Sequence, residues 1–298
     1  MVRDNPIYSI CICNYNMATT IEQSLVSVLE QLDNRYEVLL LDDGSRDNSV
    51  LIVKKLQKKY HNLRLIELKR DRRRLLGETR NLSIKEAHGD YVILHVDTDD
   101  VWEPYIDDFI SVFHKIEQCI NKDFLLSGQQ INVGRKEFLL SHGPYRNIYH
   151  TEDRDMWVRL ASIDAYLPIQ HIVFRERLDK PTKVKFYRLI KNSIYHMIND
   201  MLGMDHPRKY LYSCLSSLFA NKFDYKVNIL RFIAVIPCYL TTKFMDPFPV
   251  PDNMKNGEFF PYREKANGTF SDIMERNGGN GDLSFLRPEA QKIFLGDK

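Results

Sequence analysis

The sequence predicts an α/β fold: a mostly parallel sheet flanked by helices, followed by a mainly helical C-terminal extension. Three observations predict it. Apolar runs and helical apolar spacings alternate four times in the first hundred residues, the signature of right-handed crossovers between parallel strands. Polar clusters follow three of the four apolar runs, and open sheets of this kind bind ligands beyond the carboxyl ends of their strands. From about residue 175 the pattern turns to amphipathic helical spacing, with 12 Lys or Arg against 5 Asp or Glu over residues 175–231.

The elements follow in order. Residues 7–13 are a short apolar run, a strand buried on both faces. Ile21, Leu25, Val28, Leu29 and Leu32 fall at helical spacing. Residues 36–41 form a second strand running into Asp42-Asp43-Gly44-Ser45, and a second helix carries Val50, Val53, Leu56 and Tyr60, with Ser45 or Asp47 as its cap. Residues 63–68 are a third strand, residues 75–88 a third helix with Gly89 as its C-terminal cap, and residues 91–96 a fourth strand running into Asp97-Thr98-Asp99-Asp100. Between 105 and 165 the pattern predicts mixed-sheet strands, a loop and a helix starting near Glu152. Further helices are predicted at 181–202, 207–221 and 225–242. An extended arm rich in Pro and aromatics is expected at 246–262, then a loosely held tail. The expected division is an α/β domain over residues 1–170 and a helical region over 171–298.

Composition excludes several functions. A chain of 298 residues, 44% hydrophobic, buries a core without disulfide or metal staples. A net charge of only +2 argues against a nucleic-acid binder. Five cysteines, an odd number with no second pair to build a zinc site, read as plain buried thiols of a reducing, cytoplasmic compartment. The first residues lack a signal peptide's apolar stretch. The longest candidate for a membrane span, 232–240, is nine residues long and contains Pro237, against roughly 20 needed.

The sharpest chemical signal is Asp97-x-Asp99 leaving a strand. Alternate residues there aim two carboxylates at one volume, and carboxylate oxygens suit Mg²⁺ or Mn²⁺ beside substrate phosphates. A solvated acidic loop or a helix cap is the alternative. Asp42 and Asp43 offer acceptors for a base N–H or ribose hydroxyls, or simple turn chemistry. Tyr15 suits stacking on a base or packing at the sheet edge. Arg80 and the run Arg70, Arg72, Arg73 and Arg74 suit a diphosphate or a solvated face. Glu152-Asp153-Arg154-Asp155 starts a helix, whose dipole favours an ionised carboxylate available as a general base, or is simply an acidic first helical turn. His95, inside a strand, reads as structural. Neither a G-x-G-x-x-G nor a G-x-x-x-x-G-K-[ST] motif occurs, which removes the main support for dehydrogenase and P-loop readings.

Together these residues resemble the family 2 glycosyltransferases of the GT-A, Rossmann-like fold, over about residues 6–160. The landmarks are Asn14-Tyr15-Asn16, Asp42-Asp43-Gly44-Ser45-Arg46-Asp47, Gly77-Glu78-Thr79-Arg80-Asn81, Ala87-His88-Gly89-Asp90-Tyr91, Asp97-Thr98-Asp99-Asp100-Val101-Trp102-Glu103-Pro104 and Glu152-Asp153-Arg154-Asp155-Met156-Trp157. Gly143-Pro144-Tyr145-Arg146-Asn147 looks like archaeal members. The resemblance implies a sugar-nucleotide donor, a divalent metal (Mg²⁺ or Mn²⁺), a glycan or lipid-linked acceptor, and inversion at the anomeric carbon. By position it implies that Tyr15, Asp42 and Asp43 hold the nucleoside, with Cys13, Arg80, Asp97 and Thr98 completing the donor set. It further implies that Asp99 and Asp97 hold the metal, that Asp153 is the base, and that Trp102, Glu152 and Trp157 border the acceptor. Cys13 stands where the family often has Thr or Pro, and a basic run replaces its usual Asn-x-Gly before the third helix.

Two other readings compete. A sugar-nucleotide-forming nucleotidyltransferase would carry a Gly-rich, Arg-bearing loop where Asn14-Tyr15-Asn16 stands. A non-catalytic nucleotide- or glycan-binding protein would not need both Asp99 and Asp153. The basic C-terminal helices, with Phe186, Tyr187, Tyr195, Tyr210, Tyr212 and Phe232, suit peripheral contact with the inner face of a membrane, or an ordinary domain or homodimer interface.

Overall fold

The computed structural model describes residues 6–178, 182–203, 207–216 and 225–295. Its centre is a seven-stranded sheet in the order β3-β2-β1-β4-β7-β6-β8. The strands are β1 (Tyr8–Asn14), β2 (Tyr36–Asp42), β3 (Leu63–Glu67), β4 (Tyr91–Leu94), β6 (Leu125–Ser127), β7 (Asn132–Arg135) and β8 (Tyr166–Pro168). β3, β2, β1 and β4 run parallel, as the alternating pattern requires. β7 turns antiparallel against β4 and β6, and β8 is parallel to β6. Apart stand β5 (Asp100–Trp102) and β9 (Arg175–Arg177), an antiparallel pair.

Alternation along the strands sends side chains to two cores. Ile10, Ile12, Val38, Leu40 and Ile93 face a layer containing α1 (Ile21–Leu29), α2 (Ser49–Gln57) and α4 (Ile106–Glu117). Cys11, Leu39, Val92 and Leu94 face a layer containing α3 (Leu76–Glu86), α5 (Lys136–His142) and α6 (Glu152–Ala161). Burial on both faces is why these strands read as continuous apolar runs rather than alternating ones. Each fully buried Leu or Ile contributes about 1.5–3 kcal/mol.

The capping expectations need correction. Gly89 is not the cap of α3: Ala87 occupies that position in extended backbone. A Cβ on Gly89 would sit 2.7 Å from the carbonyl carbon of Tyr8, so glycine is required there for the close approach to β1. Neither Ser45 nor Asp47 is the cap of α2, which is Asn48. The second and third helices end three and two residues earlier than their apolar spacing suggests.

Beyond β9 come α7 (Thr182–Gly203), α8 (Pro207–Ser216) and α9 (Tyr225–Thr242), as expected, with residues 217–221 of the predicted second helix outside the described set. Met197, Met201, Tyr210, Cys214, Val235 and Cys238 give these helices their own small core. The chain then returns. The expected extended arm contains a 3₁₀ turn, Asp252–Gly257, and the start of α10 (Phe259–Ala266). The tail expected to be loose carries α11 (Phe270–Arg276) and α12 (Pro288–Phe294), whose Phe270, Ile273, Ala290 and Phe294 are buried in the same core as Ile10. A boundary at residue 170 therefore does not divide the packing.

Candidate active site

The register Asn14↔Asp42↔Glu67 brings the carboxyl ends of β1, β2 and β3 level, and the polar clusters gather there. The two aspartates after β2 have different fates. Asp42 is buried in the turn, where its carboxylate accepts from Asn14 Nδ2 at 2.7 Å, Ser45 N at 2.8 Å and Ser45 Oγ at 2.6 Å. Those three bonds hold the turn through Gly44, whose φ of 73° favours glycine. Asp42, expected at the nucleoside, thus lies in the turn rather than among the cleft residues. Asp43 does face the cleft, and Arg70 and Arg74 both pair with it, Arg74 Nε at 2.9 Å. Arg70 also lies over the Tyr15 ring, 4.7 Å from its centroid. Cys13, Tyr15, Asp43, Arg70 and Arg74 line a hollow of about 450 Å³, closed on the far side by Lys191 and Tyr195 of α7.

A second hollow of about 450 Å³ shares Cys13, Tyr15 and Tyr149 with the first. Arg80, Asp97, Thr98, Asp99, Glu152 and Asp153 converge on it. Four of the six non-glycine residues with positive φ among those described, His95, Gln130, His150 and Thr151, line it as well. Backbone strain of this kind concentrates at working sites. The Cys13 thiol, pushed up to about 11 by burial, stays protonated at its edge.

Oxygens of Asp97, Asp99 and Asp100 lie within 4.8 Å of one another. The pairing of β5 with β9 sets Arg177 opposite Asp100 and brings Arg175 beside it. Asp100, fully buried, accepts from Arg175 Nη1 at 2.7 Å and Arg177 Nε at 3.0 Å. Asp97 is approached by Arg177 at 3.3 Å and by Arg80 at 4.0 Å. Desolvation raises its carboxyl above the ordinary aspartate value, Arg80 opposing and Asp99 and Asp100 adding to the rise. Crowded hard oxygen donors suit Mg²⁺ or Mn²⁺. Of the three, Asp97 and Asp99 line the hollow, and they are the pair that would fit such an ion.

At the start of α6, Glu152 and Asp153 both line the second hollow but are held differently. Glu152 accepts from Arg80 Nε at 3.1 Å, and both side chains are buried. Burial pushes Glu152 up to about 7 against the pull of Arg80. Burial also opposes ionisation of Asp153, but the charges of Arg80 and Arg154 and the Arg154 N–H, which donates at 2.7 Å, hold its carboxyl below the ordinary range. The His95 imidazole is pushed down to about 3 by burial and by Arg80. It bonds Tyr145 Oη at 3.1 Å and stacks on Trp157 with centroids 6.0 Å apart. At neutral pH the pocket therefore holds an ionised Asp153 beside a neutral imidazole.

A third hollow of about 370 Å³ shares His95, Gln130 and Asp153 with the second and includes Trp157. Trp102, expected at the acceptor border, is elsewhere: it is 4% exposed and packs edge-on against Phe174 in the core, centroids 5.6 Å apart. An aromatic next to an acidic loop carries no sign of which way it points, and here the β5 pleat turns it inward. Sequence reasoning missed Arg175 and Arg177, and Lys191, Asn192 and His196 of α7, which complete the walls. Only their nearness in space connects them to the aspartates.

The sequence model of glycosyl transferase family 2 matches residues 9–160. An uncharacterized glycosyltransferase of Haemophilus influenzae is 30% identical over 232 residues, covering 78% of this chain and 85% of its own. The chondroitin synthase of Escherichia coli is 25% identical over 253 residues, covering 72% of this chain and 35% of its own. The chain spans about a third of the length of the first curated relatives it matches. Among solved structures, Staphylococcus aureus TarS 1-349 in complex with UDP-GlcNAc has the same fold, with a TM-score of 0.51 at 14% identity over 78% of this chain and 72% of that one.

Proposed function

The chain belongs to glycosyl transferase family 2, and from that premise we propose that its cleft moves a sugar from a nucleotide-sugar donor to an acceptor hydroxyl, with inversion and with the help of a divalent metal. The observation that carries this reading is the convergence of Arg80, Asp97, Asp99 and Asp153 on one hollow. Segments far apart in the chain meet there around crowded carboxylates, with a further ionised carboxylate alongside.

Each residue then has a part. Tyr15, Cys13 and Asp43 take the nucleoside in the first hollow, with Arg70 and Arg74 orienting Asp43. Asp42 acts through the turn it holds. Asp99 and Asp97 would hold Mg²⁺ or Mn²⁺, Thr98 lying between them. A bound metal neutralises charge on a departing nucleoside diphosphate as a Lewis acid. Asp153, ionised at neutral pH, accepts the proton of the acceptor hydroxyl as that oxygen attacks the anomeric carbon from the face opposite the leaving group. His95 supports it as a neutral neighbour. Glu152 keeps the buried Arg80 in place, and Trp157 borders the acceptor side.

The reading is tested by Asp99→Ala with calorimetry of UDP-, GDP- and dTDP-sugars, with and without Mn²⁺. Wild type is expected to bind one donor class in a Mn²⁺-dependent way, and the variant to lose that dependence. Mn²⁺-independent binding by both would remove the metal from the reading.

A lipid-linked acceptor would need a membrane surface. No helix among the described residues is long and apolar enough to cross a membrane. The outer face of α9 carries Ile229, Ile233, Ile236 and Leu240, all exposed, and the exposed Lys243 and Phe244 follow just beyond its end. This supports peripheral docking on an anionic inner leaflet over a dimer interface, which would not call for the cation. Of the aromatics first named for that surface, Tyr212 and Phe232 are exposed, Tyr210 is buried, Tyr195 lines the cleft, and the side chains of Phe186 and Tyr187 lie outside the described set. Co-sedimentation with liposomes is expected to rise with anionic lipid content, and indifference to it would favour the dimer.

A further inference from the structure

The third hollow, on the far side of Asp153 from the nucleotide end, has a composition that the transferase reading does not require. Three N–H donors in its lining are buried without any partner: Asn132 Nδ2, Trp157 Nε1 and Arg175 Nε. Asn132 as a whole is only 1% exposed. An unpaired buried donor costs roughly 1–3 kcal/mol, so three around one hollow describe a place where acceptors from outside are expected. Trp157 stacks with His95 and with Tyr166, centroids 6.0 and 5.5 Å away.

Charge sharpens the assignment. Arg175 is already matched by Asp100 at 2.7 Å. Arg263 of α10, at the rim with its guanidinium 5.8 Å from the Trp157 ring, has no carboxylate within ion-pair distance among the described residues. The only acid in the lining is Asp153, on the side shared with the donor cleft. A neutral sugar hydroxyl both donates and accepts, whereas a carboxylate or phosphate only accepts. A wall of unpaired donors with one unmatched cation is complementary to the second kind of group, and bonds of that kind are the stronger ones.

We propose that this hollow, lined by Asn132, Trp157, Arg175 and Arg263, binds an anionic saccharide, so that the acceptor sugar, or its neighbour in the acceptor chain, carries a carboxylate or phosphate held by Arg263. The proposal rests on the transferase reading only for the name acceptor. The binding chemistry stands on the donors and the cation alone.

The test is saturation-transfer NMR on the full chain, titrated with methyl β-D-glucuronide, glucose 6-phosphate and methyl β-D-glucoside, with and without UDP and Mn²⁺. A separate thermal shift with UDP and Mn²⁺ reports on the donor cleft. At least one anionic sugar is expected to bind about tenfold tighter than the neutral glycoside, and the two anionic arms tell carboxylate from phosphate. Arg263→Ala is expected to abolish that preference and Arg263→Lys to retain most of it, with melting curves checking that both variants fold. Equal binding of all three sugars, binding of none, or a preference that survives Arg263→Ala overturns the proposal. A UDP shift without sugar discrimination overturns this pocket alone. Discrimination without a UDP shift supports the pocket and counts against the transferase reading.

Discussion

Asp153→Asn is the substitution that tests the chemistry most directly. The asparagine Oδ1 keeps the bond from the Arg154 N–H, 2.7 Å in the native chain, so the first turn of α6 is expected to hold. What is lost is the ability to take a proton. General-base assistance contributes about 10²–10⁴-fold, equal to about 3–5 kcal/mol of barrier. Turnover of a nucleotide sugar with acceptor should fall by that factor, while UDP affinity changes less than about twofold. The pH profile supplies a second readout, because the two candidate carboxylates titrate in different places. Asp153 is held below the ordinary aspartate range, and a base works only when deprotonated. With Asp153 as base, kcat stays nearly flat from pH 8 to 5.5. Glu152 lies at about 7, so with Glu152 as base kcat would fall about tenfold per pH unit below that, or about 30-fold at pH 5.5. Turnover of Asp153→Asn within about threefold of wild type, or an acid limb centred near 7, would refute the assignment.

Three further outcomes are expected. Because the fold raises Glu152 from 4.5 to about 7, the native state holds a proton that the unfolded chain has released between those values, so stability falls as pH rises through that window, by up to about 3 kcal/mol. Glu152→Gln does not titrate, and the difference in unfolding free energy between wild type and variant should move against wild type from pH 4 to pH 8; urea melts at both values showing a constant difference would contradict this. Trp102→Ala should cost about 3–5 kcal/mol in denaturant melts through the lost core packing and leave the acceptor KM of the folded enzyme unchanged, whereas a raised KM with unaltered stability would place the indole at the acceptor. A Cβ on Gly77 would lie 1.8 Å from the Arg146 carbonyl oxygen, so Gly77→Ala must push α3 from the loop carrying Tyr145, at about 1–3 kcal/mol; an unchanged melting temperature would show that this contact is not tight.

Much of the site was legible in the sequence, for an identifiable reason. A strand end is a local event: an apolar run stops, and the residues just after it stand at the sheet's rim. That rule alone brought Tyr15, Asp43, Asp97 and Asp99 to one edge, and α6 added Asp153 from a helix start. The rule fails where two neighbours differ in direction. Asp42 and Asp43 look alike as letters, yet one holds a turn with three hydrogen bonds and the other faces two arginines. Nor does it say whether a charge run is solvated: Arg70 and Arg74 reach Asp43 only because β2 and β3 are paired.

The sequence by itself determined the alternation that makes the first four strands parallel, the two-faced burial of the first of them and the segments that meet at the rim, since all of these follow from periodicity and short-range steric rules. Only the tertiary structure decided that Trp102 turns into the core and that Arg175 and Arg177 neutralise Asp100 from some 75 residues away. It alone brought α7 over the cleft and α11 and α12 back to the first core. Pairing between distant charges and the docking of distant helices depend on which surfaces closure of the chain brings into contact, and no spacing within one segment encodes that contact.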